Sequence, residues 1–129
     1  MLQIGVGVIG VGLMGSLFAR LATQLPNTKL MGVADLDRNR AIQVGEALAV
    51  PAYTNYHDLL AMHQVDAVVV ATPDSLHLEP ALAVAQAGKH LLIEKPLATT
   101  REDGQQIINA CKNAGVTLMV AHVLRFDPK

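Results

Sequence analysis

The glycine run Gly10-Val-Gly12-Leu-Met-Gly15 constrains the fold of this chain more than any other feature. It follows a short apolar run, residues 3–9, that is rich in β-branched side chains and typical of a buried strand. It precedes residues 13–25, where leucines recur at four-residue spacing, as on one stripe of a helix. An acidic residue, Asp35, closes a second apolar run at residues 30–34. The pattern predicts a strand, a glycine turn, a helix and a second strand, in that order.

Each glycine of the run has a mechanical reason in such a unit. Gly10 permits the tight turn, Gly12 lets a pyrophosphate approach the backbone, and Gly15 lets the helix pack closely on the sheet. Free N–H groups and the positive end of the helix then hold the phosphates. We therefore predict a dinucleotide site at this turn, with Leu13 and Met14 among its binding residues.

Asp35 is the candidate that selects the cofactor. A carboxylate at the end of the second strand accepts hydrogen bonds from the ribose hydroxyls of adenosine and repels a 2′-phosphate, so NAD is favoured over NADP. NADP stays an alternative because Arg38 and Arg40 follow closely. Arg38 is a candidate to stack on adenine or to meet a phosphate, and a solvated position on the first helical turn is the equal alternative.

The rest of the chain continues the alternation of apolar runs and helical stretches. Further strands are expected at 66–71, 90–93 and 116–121, and residues 51–54 form only a weak strand candidate. Helices are expected over residues 38–49, 55–63, 77–87 and 100–114. Continuous apolar runs are typical of strands covered on both faces. The chain is therefore predicted to be an α/β protein of the Rossmann type, a doubly wound parallel sheet of order 3-2-1-4-5-6 with helices on both faces.

Polar residues and glycines predict where the helices begin and end. Asp37 and Asn55 have the side chains that cap helix amino ends. Thr99 and Glu102 have the spacing of a capping box, so Thr99 is the expected cap of the last helix. Gly88 is expected just beyond the end of the helix that precedes it.

Two polar segments follow strands whose carboxyl ends should lie beside the glycine turn. Ala71, Thr72 and Pro73 end the strongest strand and are predicted to form a wall for the cofactor. His77, five residues after Thr72, is a further candidate cofactor contact, and a histidine satisfied by local backbone is the equal alternative. Glu94-Lys95-Pro96 follows the next strand. Glu94 is a candidate cofactor contact, and Lys95 is the catalytic candidate because a cationic donor stabilises alkoxide character on a substrate oxygen.

Composition excludes several classes of function. Lys and Arg number 10 against 11 Asp and Glu, which argues against binding of nucleic acid or of an anionic membrane. The single cysteine, Cys111, excludes an internal disulfide and is interpreted as a small apolar residue on a helix. No cysteine, histidine and acid group has metal-ligand spacing, so no metal is expected. The amino-terminal run lacks a basic flank and a cleavage site, so we expect a cytoplasmic protein rather than a secreted one.

Five segments together resemble the amino-terminal NAD(P)-binding domain of the glucose–fructose oxidoreductase and inositol dehydrogenase (Gfo/Idh/MocA) family. They are residues 10–15, Asp35, residues 71–77, residues 87–96 and residues 125–128. The resemblance implies reversible NAD(P)-linked oxidation of a hydroxyl on sugars, cyclitols and related molecules. It also implies that Lys95 contacts the substrate and the nicotinamide ribose.

The family's second, α+β domain carries most substrate contacts, and nothing in these 129 residues matches it. We therefore expect a dinucleotide-binding domain at 1–123 and the start of a crossover at 124–129. His122 and Arg125 would lie at that crossover, either on the substrate side or in a structural role. The resemblance implies a sugar or polyol substrate bound through the second domain, and we expect a homo-oligomer. The chain alone is expected to be inactive, and a stand-alone, non-catalytic dinucleotide-binding or sensor module is the alternative.

Overall fold

The apolar runs pair into one six-stranded parallel sheet of order β3-β2-β1-β4-β5-β6, which confirms the predicted fold. The computed structural model describes residues 2–121. The strands are β1 (Ile4–Ile9), β2 (Thr28–Ala34), β3 (Ala52–Tyr53), β4 (Ala67–Val70), β5 (His90–Glu94) and β6 (Leu118–Ala121). The helices are α1 (Leu13–Gln24), α2 (Arg38–Leu48), α3 (Tyr56–Leu60), α4 (Leu78–Gln86) and α5 (Arg101–Ala114), with a 3₁₀ turn at Asp74–Leu76. None of the helices within residues 2–121 has the length and hydropathy to cross a membrane.

Both faces of the sheet are covered, which explains why the strands read as continuous apolar runs. On one face Val8 and Val33 pack in a cluster with buried residues of α1. On the other face Val68, Val70 and Ile93 belong to a larger cluster that includes buried side chains of α3, α4 and α5. Burying one such valine stabilises the fold by about 1.5–3 kcal/mol. The alternate residues of the central strands thus build two cores, one on each face.

The leucine stripe of α1 faces away from the sheet. Its members keep 38–87% of their surface exposed: Leu13, Leu17, Leu21 and Leu25. The buried face of α1 consists of Gly15, Ala19 and Ala22 instead. Small residues let the helix axis approach the sheet closely, so the packed face of α1 is the one with the least side-chain volume. Four-residue spacing therefore identifies a helix here without identifying the face that packs.

Two of the three expected amino-terminal caps are confirmed. The Asp37 carboxylate accepts a hydrogen bond from the backbone N–H of Arg40 at 3.1 Å. The Asn55 side chain accepts from the N–H of His57 at 2.9 Å. Each bond satisfies a backbone donor that the first turn of a helix leaves without an intrahelical partner.

The expected cap of α5 at Thr99 is wrong by one residue. Thr100 is the cap, and its hydroxyl accepts from the backbone N–H of Asp103 at 3.1 Å. Two adjacent threonines carry the same capping group, and the path of the preceding loop decides which of them reaches the first turn. The expected capping bond at Thr99 is therefore replaced by the bond from the Asp103 N–H to Thr100.

Lys89 connects the start of β5 to the loop between α3 and β4, at the amino end of the sheet. It immediately precedes β5 and is only 9% exposed. Its Nζ donates to the carbonyl oxygens of Met62 at 3.1 Å and Val65 at 2.7 Å. These carbonyls belong to the connection between α3 and β4, so the lysine fastens that connection to β5. A lysine after a glycine is typical of a solvated loop, so the sequence did not indicate that Lys89 is buried.

Cys111 lies in the core, packed in the same cluster as Ile107 on α5. Burial raises the pKa of its thiol, which disfavours the reactive thiolate. The geometry therefore agrees with its interpretation as a small apolar residue.

Replacing Lys89 with Met is expected to lower the free energy of unfolding by about 2 kcal/mol, because two carbonyl oxygens lose a charged donor while the apolar stem is kept. Urea denaturation followed by circular dichroism measures this. Lys29, an exposed lysine on β2, is the matched control, and Lys29→Met should change stability by less than about 0.5 kcal/mol. Equal free energies of unfolding for Lys89→Met and Lys29→Met would contradict the stabilising role of the Lys89 hydrogen bonds.

Candidate functional site

A cavity of about 560 Å³ opens at the carboxyl ends of the central strands. The segments that follow β1, β2, β4 and β5 line it, as expected for ligand sites in open α/β sheets. Nine of the residues singled out from the sequence line this cavity: Gly10, Gly12, Met14, Asp35, Ala71, Thr72, Pro73, Glu94 and Lys95. Four others do not line it: Leu13, Gly15, Arg38 and His77. His122 and Arg125 lie outside the described residues.

The glycine turn touches both the start of α1 and the end of β4 through backbone alone. Gly10 has a φ of +89°, and a Cβ placed there would lie 2.8 Å from backbone atoms of Ala71 and Thr72. A Cβ on Gly15 would lie 1.7 Å from the carbonyl oxygen of Gly10. Such approaches are impossible for any residue with a side chain, so both glycines are required by the fold itself.

Gly12 differs, because protein contacts do not require a glycine there. A Cβ on Gly12 would meet no atom within 4 Å. Gly12 is also the amino-terminal cap of α1 and supplies no side-chain hydrogen bond to the first turn. The first N–H groups of a helix have no intrahelical partner. The open space at Gly12 and these N–H groups of α1 therefore suit the close approach of an anion such as phosphate.

Both oxygens of Asp35 accept backbone hydrogen bonds. Oδ2 accepts from the N–H of Val11 at 2.9 Å, and Oδ1 accepts from the N–H of Asp37 at 2.8 Å. These bonds tie the glycine turn to the end of β2 and fix the orientation of the carboxylate. Each carboxylate oxygen can accept more than one hydrogen bond, so Asp35 retains acceptor capacity toward the cavity.

Of the two arginines on the first turn of α2, Arg40 is the one that lines the cavity. Its Nη1 lies 3.8 Å from Oδ2 of Asp35. Arg40 is half exposed, so this ion pair contributes little to stability. Arg38 lines a smaller, separate cavity beside Tyr53. Side chains two positions apart on a helix point in different directions. Arg38, the candidate named from the sequence, therefore points away from the cavity that Arg40 lines.

Two exposed leucines that were not predicted from the sequence also line the cavity. Leu36 is 78% exposed and Leu76 is 49% exposed. Leu36 directly follows Asp35, and Leu76 ends the 3₁₀ turn after Pro73. Exposed apolar surface beside a cavity suits the flat face of an aromatic ring. For Leu36 the signal in the sequence was a large apolar residue directly after the acidic residue that follows β2.

His77 lies behind the cavity wall and is 1% exposed. Its two ring nitrogens face the backbone carbonyl oxygens of Thr72 and Pro96. The alternative of a histidine satisfied by backbone therefore describes its contacts better than a direct cofactor contact does, although Pro96 is remote in sequence.

Glu94 and Lys95 reach the cavity from the end of β5. The Lys95 side chain is exposed. Oε1 of Glu94 is buried and has no hydrogen-bond partner within residues 2–121. A buried carboxylate oxygen without a donor is costly, and a bound hydroxyl or amide would satisfy it. The two residues thus place an unsatisfied acceptor and a cationic donor at one end of the cavity.

Comparison with known proteins identifies the family. Residues 4–122 match the model of the Gfo/Idh/MocA family, described as an oxidoreductase family with an NAD-binding Rossmann fold. The chain belongs to this family. The resemblance stated from the sequence motifs is therefore confirmed, as is the prediction of an NAD-binding domain.

Named relatives and solved structures share this domain. The chain is 40% identical over 130 residues to an inositol 2-dehydrogenase of Saccharopolyspora erythraea, covering 98% of this chain and 38% of the relative. It is 37% identical over 124 residues to a 2,7-anhydro-N-acetylneuraminate hydratase of Escherichia coli, covering 96% and 33%. The crystal structure of GenD2 from gentamicin A biosynthesis, in complex with NAD, superimposes with a TM-score of 0.95 at 32% identity, covering 100% of this chain and 37% of GenD2.

The chain spans about a third of the length of these relatives. The expected second domain fits this difference in length. The activities named for the relatives belong to those longer proteins.

The two glycines of the turn should respond differently to a methyl group. Gly15→Ala is expected to destabilise the domain by at least about 3 kcal/mol or to prevent folding, because the new Cβ collides with the Gly10 carbonyl. Gly12→Ala should change stability by less than about 1 kcal/mol, because its Cβ enters open space. Thermal unfolding followed by calorimetry compares them. A Gly15→Ala variant as stable as the wild type would refute the close approach of α1 to the turn.

Proposed function

We propose that this chain is the cofactor-binding part of an oxidoreductase that oxidises a hydroxyl of a sugar, cyclitol or related polyol. The observation that carries the proposal is the single cavity that joins Asp35, the glycine turn and Lys95. Membership of an NAD-binding oxidoreductase family supports it, as does the relative named an inositol 2-dehydrogenase. The sugar or polyol substrate is carried over from such relatives.

The lining of the cavity suggests where each part of NAD is held. The amino end of α1 beside Gly12 suits the pyrophosphate, and Asp35 suits the adenosine ribose. The exposed faces of Leu36 and Leu76 suit the adenine ring. The nicotinamide then extends toward Lys95, on the far side of the glycine turn. When bound there, NAD supplies the hydride acceptor.

Lys95 and Glu94 have distinct roles in this proposal. The Lys95 amine donates a hydrogen bond to the substrate oxygen and stabilises the negative charge that develops as hydride leaves the adjacent carbon. Oε1 of Glu94 accepts a hydrogen bond from a hydroxyl of the bound cofactor, which satisfies the buried oxygen. Lys95 acts here as a hydrogen-bond donor, and the proton acceptor comes from the substrate domain.

The alternative is a dinucleotide-binding module without turnover. The exposure of Lys95 favours it, because the described residues supply no wall that would hold a substrate against the amine. The two functions share the cofactor site and differ in whether hydride transfer occurs when a substrate domain is present.

A cytoplasmic location and a homo-oligomeric assembly complete the proposal. The low charge content of 16% supports an assembly, and so does the exposed leucine stripe of α1.

The domain is expected to bind NAD more tightly than NADP, because the Asp35 carboxylate repels a 2′-phosphate and Arg40 offsets that charge only in part. Isothermal calorimetry with both cofactors measures the difference. Asp35→Ser should narrow it, at a cost of about 1–3 kcal/mol in stability, because the hydroxyl cannot replace both hydrogen bonds from Val11 and Asp37.

Arg40→Ala is the matched variant for cofactor choice, since it removes the charge that favours a 2′-phosphate, and it should widen the preference for NAD. Equal or tighter binding of NADP by the wild type would contradict the role of Asp35.

The chain alone is expected to form no NADH across a panel of sugars and polyols, measured by absorbance at about 340 nm. Orientation of the substrate can contribute about 7–11 kcal/mol to lowering a barrier, and a general base roughly 10²–10⁴ in rate. A protein that joins these residues to a substrate domain should turn over. In it Lys95→Ala should lower kcat by at least about tenfold and leave NAD affinity nearly unchanged.

Lys29→Ala, at an exposed lysine on β2, serves as the control and should retain kcat. A Lys95→Ala enzyme with normal kcat would contradict the role of Lys95. If the protein that joins these residues to a substrate domain binds NAD but does not turn over, the result would favour the non-catalytic module.

A further inference from the structure

His77 is a buried polar side chain that the proposed cofactor contacts do not use. It is 1% exposed, whereas His57, His63 and His90 are all exposed. It stands between the 3₁₀ turn and α4, immediately behind the wall of the cavity. A histidine buried this completely needs partners for its ring nitrogens, and its partners come from two different segments.

The ring bridges the two segments that follow β4 and β5. Nδ1 lies 2.8 Å from the carbonyl oxygen of Pro96, and Nε2 lies 3.0 Å from the carbonyl oxygen of Thr72. A carbonyl oxygen only accepts, so each contact is a hydrogen bond when the facing nitrogen carries a hydrogen. The ring therefore lies between the two segments, with one nitrogen facing a carbonyl oxygen of each.

Both bridged segments line the cavity. Thr72 is itself a lining residue, and Lys95 directly precedes Pro96. The first segment is closed internally, since the Thr72 hydroxyl donates to the Leu76 carbonyl at 3.0 Å and the Leu76 N–H donates to the Pro73 carbonyl at 2.8 Å. The ring therefore connects this closed turn to the backbone beside Lys95.

We propose that His77 is a positioning residue, whose ring holds the Thr72 and Lys95 segments at a fixed separation and thereby sets the width of the cavity between them. It acts through Thr72 and Pro96 and does not touch the cofactor. The inference rests on the proposed function in that NAD is the ligand whose binding depends on this separation.

The test replaces His77 with Phe, which fills a similar volume and has no ring nitrogen. The backbone amide resonances of Thr72, of residues 74–76 and of Glu94 and Lys95 should shift in the ¹H–¹⁵N NMR spectrum of the cofactor-free chain, while those of residues 10–15 stay in place. The dissociation constant for NAD, measured by calorimetry, should rise roughly tenfold, or about 1.4 kcal/mol of binding free energy, because the two segments are no longer held at the separation that NAD requires.

His90 provides the matched control. Its Nδ1 accepts a hydrogen bond from the backbone N–H of Thr117 at 3.0 Å, so this ring also contacts the backbone, but at the opposite, amino end of β5. His90→Phe should leave the amide resonances of Thr72 and residues 74–76 in place. It should keep the NAD affinity within about twofold of that of the wild type. A conservative variant, His77→Gln, keeps one donor and should give an NAD affinity between those of the wild type and His77→Phe.

The wild-type chain provides a measurement that does not depend on the folding of any variant. A buried, hydrogen-bonded ring N–H exchanges slowly with solvent, so His77 should show a protected ring N–H resonance. The exposed His63 ring should show none. A His77 ring N–H that exchanges as fast as that of His63 would overturn the bridge.

The outcomes separate this inference from the proposed function. A wild-type chain that fails to bind NAD contradicts the proposed function, while the ring N–H and the amide shifts still decide whether His77 joins the two segments. Unchanged loop amides in His77→Phe, or an NAD affinity equal to that of the wild type, would overturn the positioning role.

Discussion

The contact between bare backbones at Gly10 and Gly15 is the constraint on which the site depends. The carbonyl of Gly10 occupies the place that a Cβ of Gly15 would need, and Gly10 itself lies against Ala71 at the end of β4. Helix α1 is thereby drawn onto the sheet, and its amino end is brought to the edge of the cavity. The same arrangement lets Val11 donate to Asp35, so that the turn and the end of β2 hold each other.

The order of the strands converts this local contact into an elongated site. β2, β1, β4 and β5 are neighbours in the sheet, so their carboxyl ends present Asp35, the glycine turn, Thr72 and Lys95 in that spatial order. Three strand spacings separate the outer two, about 14 Å in all. A long ligand matches this order if it has hydrogen-bond donors at one end and its reactive group at the other. An extended dinucleotide is such a ligand.

The fold could be predicted almost completely from the sequence, because its signals are local. Apolar runs, capping side chains and the spacing of the glycines each act within a few residues, and the family motifs cover most of the site. The face of α1 that packs on the sheet was harder to predict. The leucines of α1 face outward because the small residues on its other face allow the closer approach to the sheet.

The remaining misses involve contacts between segments that are distant in the chain. The choice between Arg38 and Arg40 depends on how the first turn of α2 is rotated relative to the cavity. The partner of His77 lies 19 residues away, and that of Lys89 up to 27 residues away. The sequence does not show the Pro96 and Met62 carbonyl partners of His77 and Lys89, because only the folded sheet brings these segments together.

The central position of β1 has a consequence for how the chain can fold during synthesis. β1 pairs with β2 on one side and with β4 on the other. β1 emerges from the ribosome before the other strands of this sheet, and it therefore keeps one edge without its native partner until residues 67–70 have also emerged. Native pairing between strands so distant in the chain carries the entropy of closing a long loop, which slows folding. A nascent chain that stops before β4 would expose an apolar, unpaired strand edge at what should become the middle of the sheet.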